Sequence, residues 1–139
     1  MNEVKSYDAY DGAPYVEEST NNTVKYLDLS VPVYHLPLYD WVVSIEVAEH
    51  IPKTYEQIYI NNLVRHASHG IILSWAIPKQ EGHGHVNNQD FAYIEEQLIN
   101  RAFKSDNTTT VQIKNATSFG WIKRNVCAFK RIKKEILHI

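Results

Sequence analysis

The sequence has 139 residues, of which 44% are hydrophobic and 22% are charged, and its formal net charge is −2 at pH 7. This length predicts one domain, residues 1–139, with a modest core. The near-neutral charge gives no reason to expect nucleic acid or an anionic membrane as a partner. A single cysteine, Cys127, excludes an internal disulfide and a cysteine-based zinc cluster. Without a signal-peptide pattern or an apolar run of membrane length, we expect a cytoplasmic protein.

Two short strands are predicted in the first part of the chain. Residues 4–10 alternate loosely between polar and apolar and end at Asp11-Gly12, a common turn pair. Residues 24–29 have the composition of a second strand, and a connector with spaced prolines follows over residues 31–38. Asp11 therefore lies at the end of the first strand, and Asp28 lies near the end of the second.

The run Trp41-Val42-Val43-Ser44-Ile45 predicts a strand buried on both faces, as in parallel sheets. The sequence changes from apolar to polar at Glu46, and Glu49 and His50 follow within a few residues. Ligands of open α/β sheets sit at the carboxyl ends of the strands. This strand end is therefore the predicted functional site.

The rest of the chain alternates between helical and strand patterns. The predicted elements are a helix from Tyr55 with Gly70 as its C-cap, a buried strand over residues 71–76, a helix over residues 91–103 with Asp90 as N-cap, and a strand over residues 126–132. Residues 106–118 fit a helix only approximately. The order of elements predicts an α/β fold.

The strand at residues 41–45 followed by Glu46-Val47-Ala48-Glu49-His50-Ile51-Pro52 resembles the fourth-strand motif of class I S-adenosylmethionine (SAM) dependent methyltransferases. That motif is an apolar strand running into a Leu-Glu-His-Val/Ile-Pro type sequence. The order of elements also resembles the family from its second strand onward. Residues 39–88, with Gly84-His85-Val86-Asn87-Asn88, resemble more narrowly a group of animal methyltransferase-like proteins. The resemblance implies a Rossmann-like, mostly parallel sheet with helices on its faces, and SAM as methyl donor.

The family's glycine-rich turn after the first strand is missing from the sequence. The only close pair among the five glycines, Gly82 and Gly84, follows the fifth strand instead. We therefore expect a partial domain without the first strand, the glycine loop and the first helix. In the family the first strand lies between the second and the fourth. Three explanations of this gap are open. The chain could be a fragment of a longer enzyme, or the second and fourth strands could pair directly. Alternatively, a second copy or another partner chain could cover the exposed edge.

The resemblance assigns four residues to the cofactor. Asp11 would accept hydrogen bonds from the SAM ribose, Asp28 would lie beside the adenine, and Ile45 and Glu46 would face the ligand cleft. Each acid also has a structural interpretation, as a turn residue or as a helix N-cap.

His50 is the predicted catalytic base, with Glu49 beside it, because an imidazole titrates near neutral pH. The loop after the fifth strand supplies the predicted substrate-binding residues, which are Trp75, His83, His85 and Asn87. We assign no metal ligands, because His66 and His69 are expected at the opposite rim of the sheet from His83 and His85.

These assignments predict a SAM-dependent methyltransferase-like domain that acts on a small-molecule acceptor. Nucleic acid and membrane are not expected as partners. The alternative from a different functional class is a non-catalytic α/β module that acts through its exposed sheet edge.

Overall fold

The computed structural model describes residues 3–133. Its strands and helices are, in chain order, β1 (Tyr10–Asp11), α1 (Val16–Ser19), β2 (Lys25–Tyr26), β3 (Tyr39–Ser44), α2 (Glu56–His66), β4 (Ala67–Ser74), α3 (Phe91–Ile99), β5 (Phe103–Ser105), α4 (Asn107–Ala116), α5 (Gly120–Asn125) and β6 (Val126–Arg131). Two short 3-10 turns, Ala48–His50 and Lys53–Tyr55, lie between β3 and α2. None of the described helices has the length and apolar composition of a membrane span.

The strands form two separate sheets. The larger sheet has the order β3-β4-β6-β5, with β3 parallel to β4 and with β6 antiparallel to both of its neighbours. The smaller sheet is the parallel pair β1-β2. The sequence predicts a mostly parallel sheet, whereas the observed pairings are divided between the two orientations.

One hydrophobic core holds the larger sheet to its helices. Tyr59, Ile60 and Leu63 place one face of α2 in it, and Ile94 and Leu98 do the same for α3. The predicted N-cap of α3 is confirmed, since Asp90 Oδ1 accepts a hydrogen bond from the Tyr93 amide at 2.8 Å. Because α2 connects two adjacent parallel strands, the carboxyl ends of β3 and β4 lie at the same rim.

The predicted C-cap role of Gly70 is wrong, because Gly70 lies inside β4. It pairs with Trp41 of β3, and a Cβ at this position would lie 2.2 Å from Trp41 Cζ3. Glycine is therefore required here because an indole ring occupies the space of its side chain. The strand consequently begins earlier than predicted, directly after α2.

The prediction that the strand around Val43 is buried on both faces is also wrong, since the Val43 side chain is 60% exposed. Among residues 3–133, no strand pairs with the outer edge of β3. A cavity of about 1150 Å³ lies there instead, lined by β3 on one side and by residues 3–11 on the other. Direct pairing of β1-β2 with β3 is therefore excluded for the described residues, and the gap falls where the resemblance places the missing first strand.

Residues 106–118, which the sequence left ambiguous, contain the whole of α4. Asp106 is its N-cap and accepts a hydrogen bond from the Thr109 amide at 3.2 Å. The predicted last strand is confirmed as β6. The short strand β5 was not predicted, because three residues carry too little periodicity to be recognised.

We expect Gly70→Ala to lower the free energy of unfolding by about 1–3 kcal/mol, because the added methyl group overlaps the Trp41 ring. Gly120→Ala is the matched control, since nothing lies within 4 Å of a Cβ added at this first position of α5. The control should leave stability unchanged or raise it slightly. Urea unfolding of both variants measures the difference, and equal midpoints would contradict the packing of Trp41 on Gly70.

Candidate functional site

The turn after β3 and the loop after β4 are joined by backbone hydrogen bonds. The Val86 and Asn87 amides both donate to the carbonyl oxygen of Glu49, at 2.9 and 3.0 Å. The Trp75 indole donates to the Asn87 carbonyl at 2.6 Å. These bonds fix the loop over the end of β3, and the polar side chains of both segments meet there.

Glu46 begins this turn in a left-handed backbone conformation, with φ of 56°. Its amide donates to Ser74 Oγ at 2.7 Å, and Ser74 Oγ donates to Glu46 Oε1 at 3.1 Å. Ser74 is the last residue of β4 and is fully buried. The uncommon backbone conformation of Glu46 is therefore stabilised by a side chain from the neighbouring strand.

Glu49 is fully buried, and neither carboxylate oxygen has a hydrogen-bond partner among the described residues. Burial raises the pKa of Glu49 above its usual value, and the nearby carboxylate of Glu46 raises it further. The buried carboxylate is thus a polar group that the surrounding protein leaves uncompensated.

Two imidazoles lie next to this carboxylate. The rings of His50 and His85 are 5.2 Å apart in an edge-to-face arrangement, and His85 Nε2 is 4.0 Å from Glu49 Oε1. One potential ligand atom from each of Glu49, His50 and His85 lies within 4.8 Å of the others. The structure therefore brings the predicted catalytic pair together with one predicted substrate-binding residue.

Other predicted residues lie elsewhere. Trp75 is 1% exposed and packs against Tyr59 in the core, so the prediction that Trp75 contacts substrate is corrected. Asn87 is also buried, and its side-chain amide donates a hydrogen bond to the buried carboxylate of Glu56. His83 is exposed and lies outside the cluster of Glu49, His50 and His85.

The two histidines of the α2–β4 junction are not in the cluster. His66 Nδ1 donates to the Asn62 carbonyl at 2.8 Å, and exposed His69 lies 3.3 Å from Asp40. Their separation from His85 agrees with the predicted opposite rims.

The predicted cofactor residues are divided between two surroundings. Asp11 and Ile45 line the cavity beside β3, whereas Asp28 and Glu46 do not. Asp11 also accepts a hydrogen bond from the Ala13 amide at 2.7 Å, and Asp28 accepts one from the Ser30 amide at 2.8 Å. Both aspartates therefore stabilise turns, and Asp11 remains exposed.

Glu56 was not predicted from the sequence. It fixes the loop after β4 from the interior of the protein. This buried carboxylate accepts hydrogen bonds from Lys53 Nζ at 2.9 Å, from Asn87 Nδ2 at 2.8 Å and from the Tyr93 hydroxyl. Burial acts to raise the pKa of Glu56, but these hydrogen bonds outweigh it and hold the pKa below its usual value. The spacing of Lys53 and Glu56 at the start of α2 was the only local signal for this network.

Comparisons with known proteins give structural matches alone. No family model matches the sequence, and neither does any curated protein. The structure is similar to magnesium protoporphyrin IX methyltransferase from Synechocystis PCC 6803 with bound SAH (19% identity, TM-score 0.54), covering 83% of this chain and 55% of that enzyme. It is also similar to the N-methyltransferase NodS from Bradyrhizobium japonicum WM9 (14% identity, TM-score 0.60, 89% of this chain and 72% of NodS).

The fold is that of a class I methyltransferase. This chain spans about half the length of the Synechocystis enzyme. A pericyclic reaction enzyme is also similar (8% identity, TM-score 0.58), covering 93% of this chain and 37% of its own. Identities at this level establish the architecture and leave the reaction open.

We expect Glu56→Gln to lower the free energy of unfolding at neutral pH by about 2–3 kcal/mol, because charge-assisted hydrogen bonds are replaced by weaker ones. The depressed pKa of Glu56 contributes stability above pH 4.5, and this contribution is lost as pH falls through the folded-state pKa. Lys53 and Tyr93 are the charged and titratable partners of Glu56, and Arg101 also acts on it. Chemical unfolding from pH 7 to pH 3 should therefore show a shallower acid loss in the variant.

Glu96→Gln is the control, since Glu96 is an exposed carboxylate on the neighbouring α3. It should leave both the stability and its pH dependence unchanged. If the free energy of unfolding of wild type and of Glu56→Gln falls equally with pH, the hydrogen bonds to ionised Glu56 do not contribute to stability as we expect.

Proposed function

We propose that this chain is a SAM-dependent methyltransferase-like domain that acts on a small-molecule acceptor. The observation that carries the proposal is the cavity of about 1150 Å³ beside β3, lined by both Asp11 and Ile45. Asp11 belongs to β1 and Ile45 follows β3 directly, and both were assigned to the cofactor from the sequence. A further strand along β3 would fill much of this cavity, so we place the ligand in the part beside Ile45, at the carboxyl end of β3.

The residues at the cavity fit a SAM molecule in their chemistry. A carboxylate such as Asp11 has only acceptor atoms, which suits ribose hydroxyls, and Ile45 offers an apolar surface. SAM supplies an electrophilic methyl group on a sulfonium. The magnesium protoporphyrin IX methyltransferase has been crystallised with both SAM and its demethylated product SAH.

We propose that His50 accepts the proton that an acceptor must lose. Its Nδ1 lies 3.0 Å from the Gly84 carbonyl, which can only accept, so Nδ1 carries the hydrogen. Nε2 is therefore left with a free lone pair, on a side chain that is exposed.

The outer edge of β3 is the place where we propose that a further strand pairs. Its backbone has no partner strand among residues 3–133, and the cavity separates it from the small sheet. A strand from a second copy or from another chain would complete the gap. The cytoplasmic location and the narrower resemblance to animal methyltransferase-like proteins rest on the sequence and remain predictions.

We expect isothermal titration of the purified chain with SAM and with SAH to give weak binding, with Kd on the order of 100 µM. The affinity is low because the glycine-loop amides that would approach the ligand are missing from the described residues. Asp11→Ala and Ile45→Ala should each weaken binding, because both residues line the cavity.

Glu96→Ala is the matched control for these variants and should bind as the wild type does. Circular dichroism establishes that each protein is folded. No heat at millimolar SAM or SAH from a folded chain would contradict a cofactor site formed by these residues alone.

A further inference from the structure

The cluster of Glu49, His50 and His85 contains more than the proposed methyl transfer uses, since that proposal assigns a role to His50 alone. Two ligand-bearing residues come from the turn after β3 and one from the loop after β4, so only the folded chain assembles them. One carboxylate and two imidazoles within 4.8 Å form a set of donor atoms typical of metal sites.

The buried carboxylate of Glu49 is a second observation that points to a cation site. It is 0% exposed, and both oxygens lack hydrogen-bond donors among the described residues. A buried unpaired carboxylate is costly, since its lost hydration is not replaced. His85 Nε2 lies 4.0 Å from Glu49 Oε1, which is too long for a hydrogen bond.

The two imidazoles are oriented as metal ligands usually are. His50 Nδ1 donates to the Gly84 carbonyl at 3.0 Å, and His85 Nδ1 donates to the Gln80 carbonyl at 3.2 Å. Metal-binding histidines commonly use one ring nitrogen for such a carbonyl, which fixes the tautomer and directs the other nitrogen to the metal. In both residues Nε2 remains available.

Glycines allow the imidazoles to lie this close to the loop. A Cβ on Gly82 would lie 2.3 Å from His85 Nε2, and a Cβ on Gly84 would lie 3.2 Å from His50 Nδ1. Gly84 also has a positive φ of 74°, which other residues rarely adopt. The loop backbone is therefore shaped around the two rings.

We propose that Glu49, His50 and His85 bind a divalent cation of the first transition row, such as Zn²⁺ or Fe²⁺. Imidazole ligands favour these ions over Mg²⁺ and Ca²⁺, which prefer oxygen ligands alone. Ligand atoms around such an ion are roughly 3–3.6 Å apart, so His85 Nε2 and Glu49 Oε1 need to approach by less than about 1 Å. The second carboxylate, Glu46, adds negative charge beside the site.

His50 is exposed, so an ion held here would face solvent on one side. It would keep at least one coordination position for water or for an oxygen atom of a second molecule. The site would thus be of the open kind, in contrast to the closed sites that only stabilise a fold.

The test is titration of the full chain, freed of metal by a chelator, with Co²⁺ while visible absorption is recorded. We expect one Co²⁺ per chain, competition by Zn²⁺, and much weaker competition by Mg²⁺. Glu49→Gln, His50→Asn and His85→Asn should each lower the affinity by at least about tenfold. The readout needs no SAM and no methyl transfer, so it is separate from the SAM titration. A cation on His50 Nε2 would occupy the lone pair that the proposed base needs, so binding would replace that role of His50 and leave the proposed cofactor site unaffected.

His83→Asn and His69→Asn are the matched controls, because both histidines are exposed and lie outside the cluster. They should bind Co²⁺ as the wild type does. His50→Asn changes an exposed side chain, so its folding is not at risk, and circular dichroism verifies the other variants.

Three results would overturn the proposal. Absence of stoichiometric binding would show that the three side chains do not form a metal site. Binding that Glu49→Gln and His85→Asn do not weaken would place the metal elsewhere. Equal affinity for Mg²⁺ and Co²⁺ would contradict imidazole ligation.

Discussion

Two backbone hydrogen bonds to the Glu49 carbonyl determine the geometry of the whole rim. The Val86 and Asn87 amides donate them, and this places the loop after β4 across the end of β3. The loop is held a second time from inside, because the Asn87 side chain donates to Glu56. Because these bonds fix the main chain of Glu49, its carboxylate stays in the interior of the protein. Burial of a carboxylate is costly without a compensating charge.

Elements with a clear hydrophobic periodicity were predicted correctly from the sequence. The predictions were wrong where a contact with a distant part of the chain determines the burial or the role of a residue. Residues 41–45 were recognised as a strand from their composition. Their exposure depends on what lies beside β3, which composition does not describe. Gly70 resembled a helix C-cap locally, yet the residue that demands glycine there is Trp41, much earlier in the chain. Short-range patterns therefore predicted the fold class but not the packing.

The site shows the same division. Glu46, Glu49 and His50 were predicted from their position after a strand, because strand ends in α/β sheets meet ligands. His85 was predicted for the same rim, but its approach to Glu49 follows from the loop conformation that Gly82 and Gly84 permit. Glu56 was missed because its partners come from three separate segments of the chain.

Glu46 is the residue that connects the two parts of this surface. It follows Ile45, which lines the large cavity, and its own carboxylate acts on buried Glu49. Ser74 of β4 holds it between them. Glu46 is thus the side chain through which the end of β3, next to the cavity, meets the buried carboxylate. Its charge is one reason why the pKa of Glu49 is raised, after the larger effect of burial.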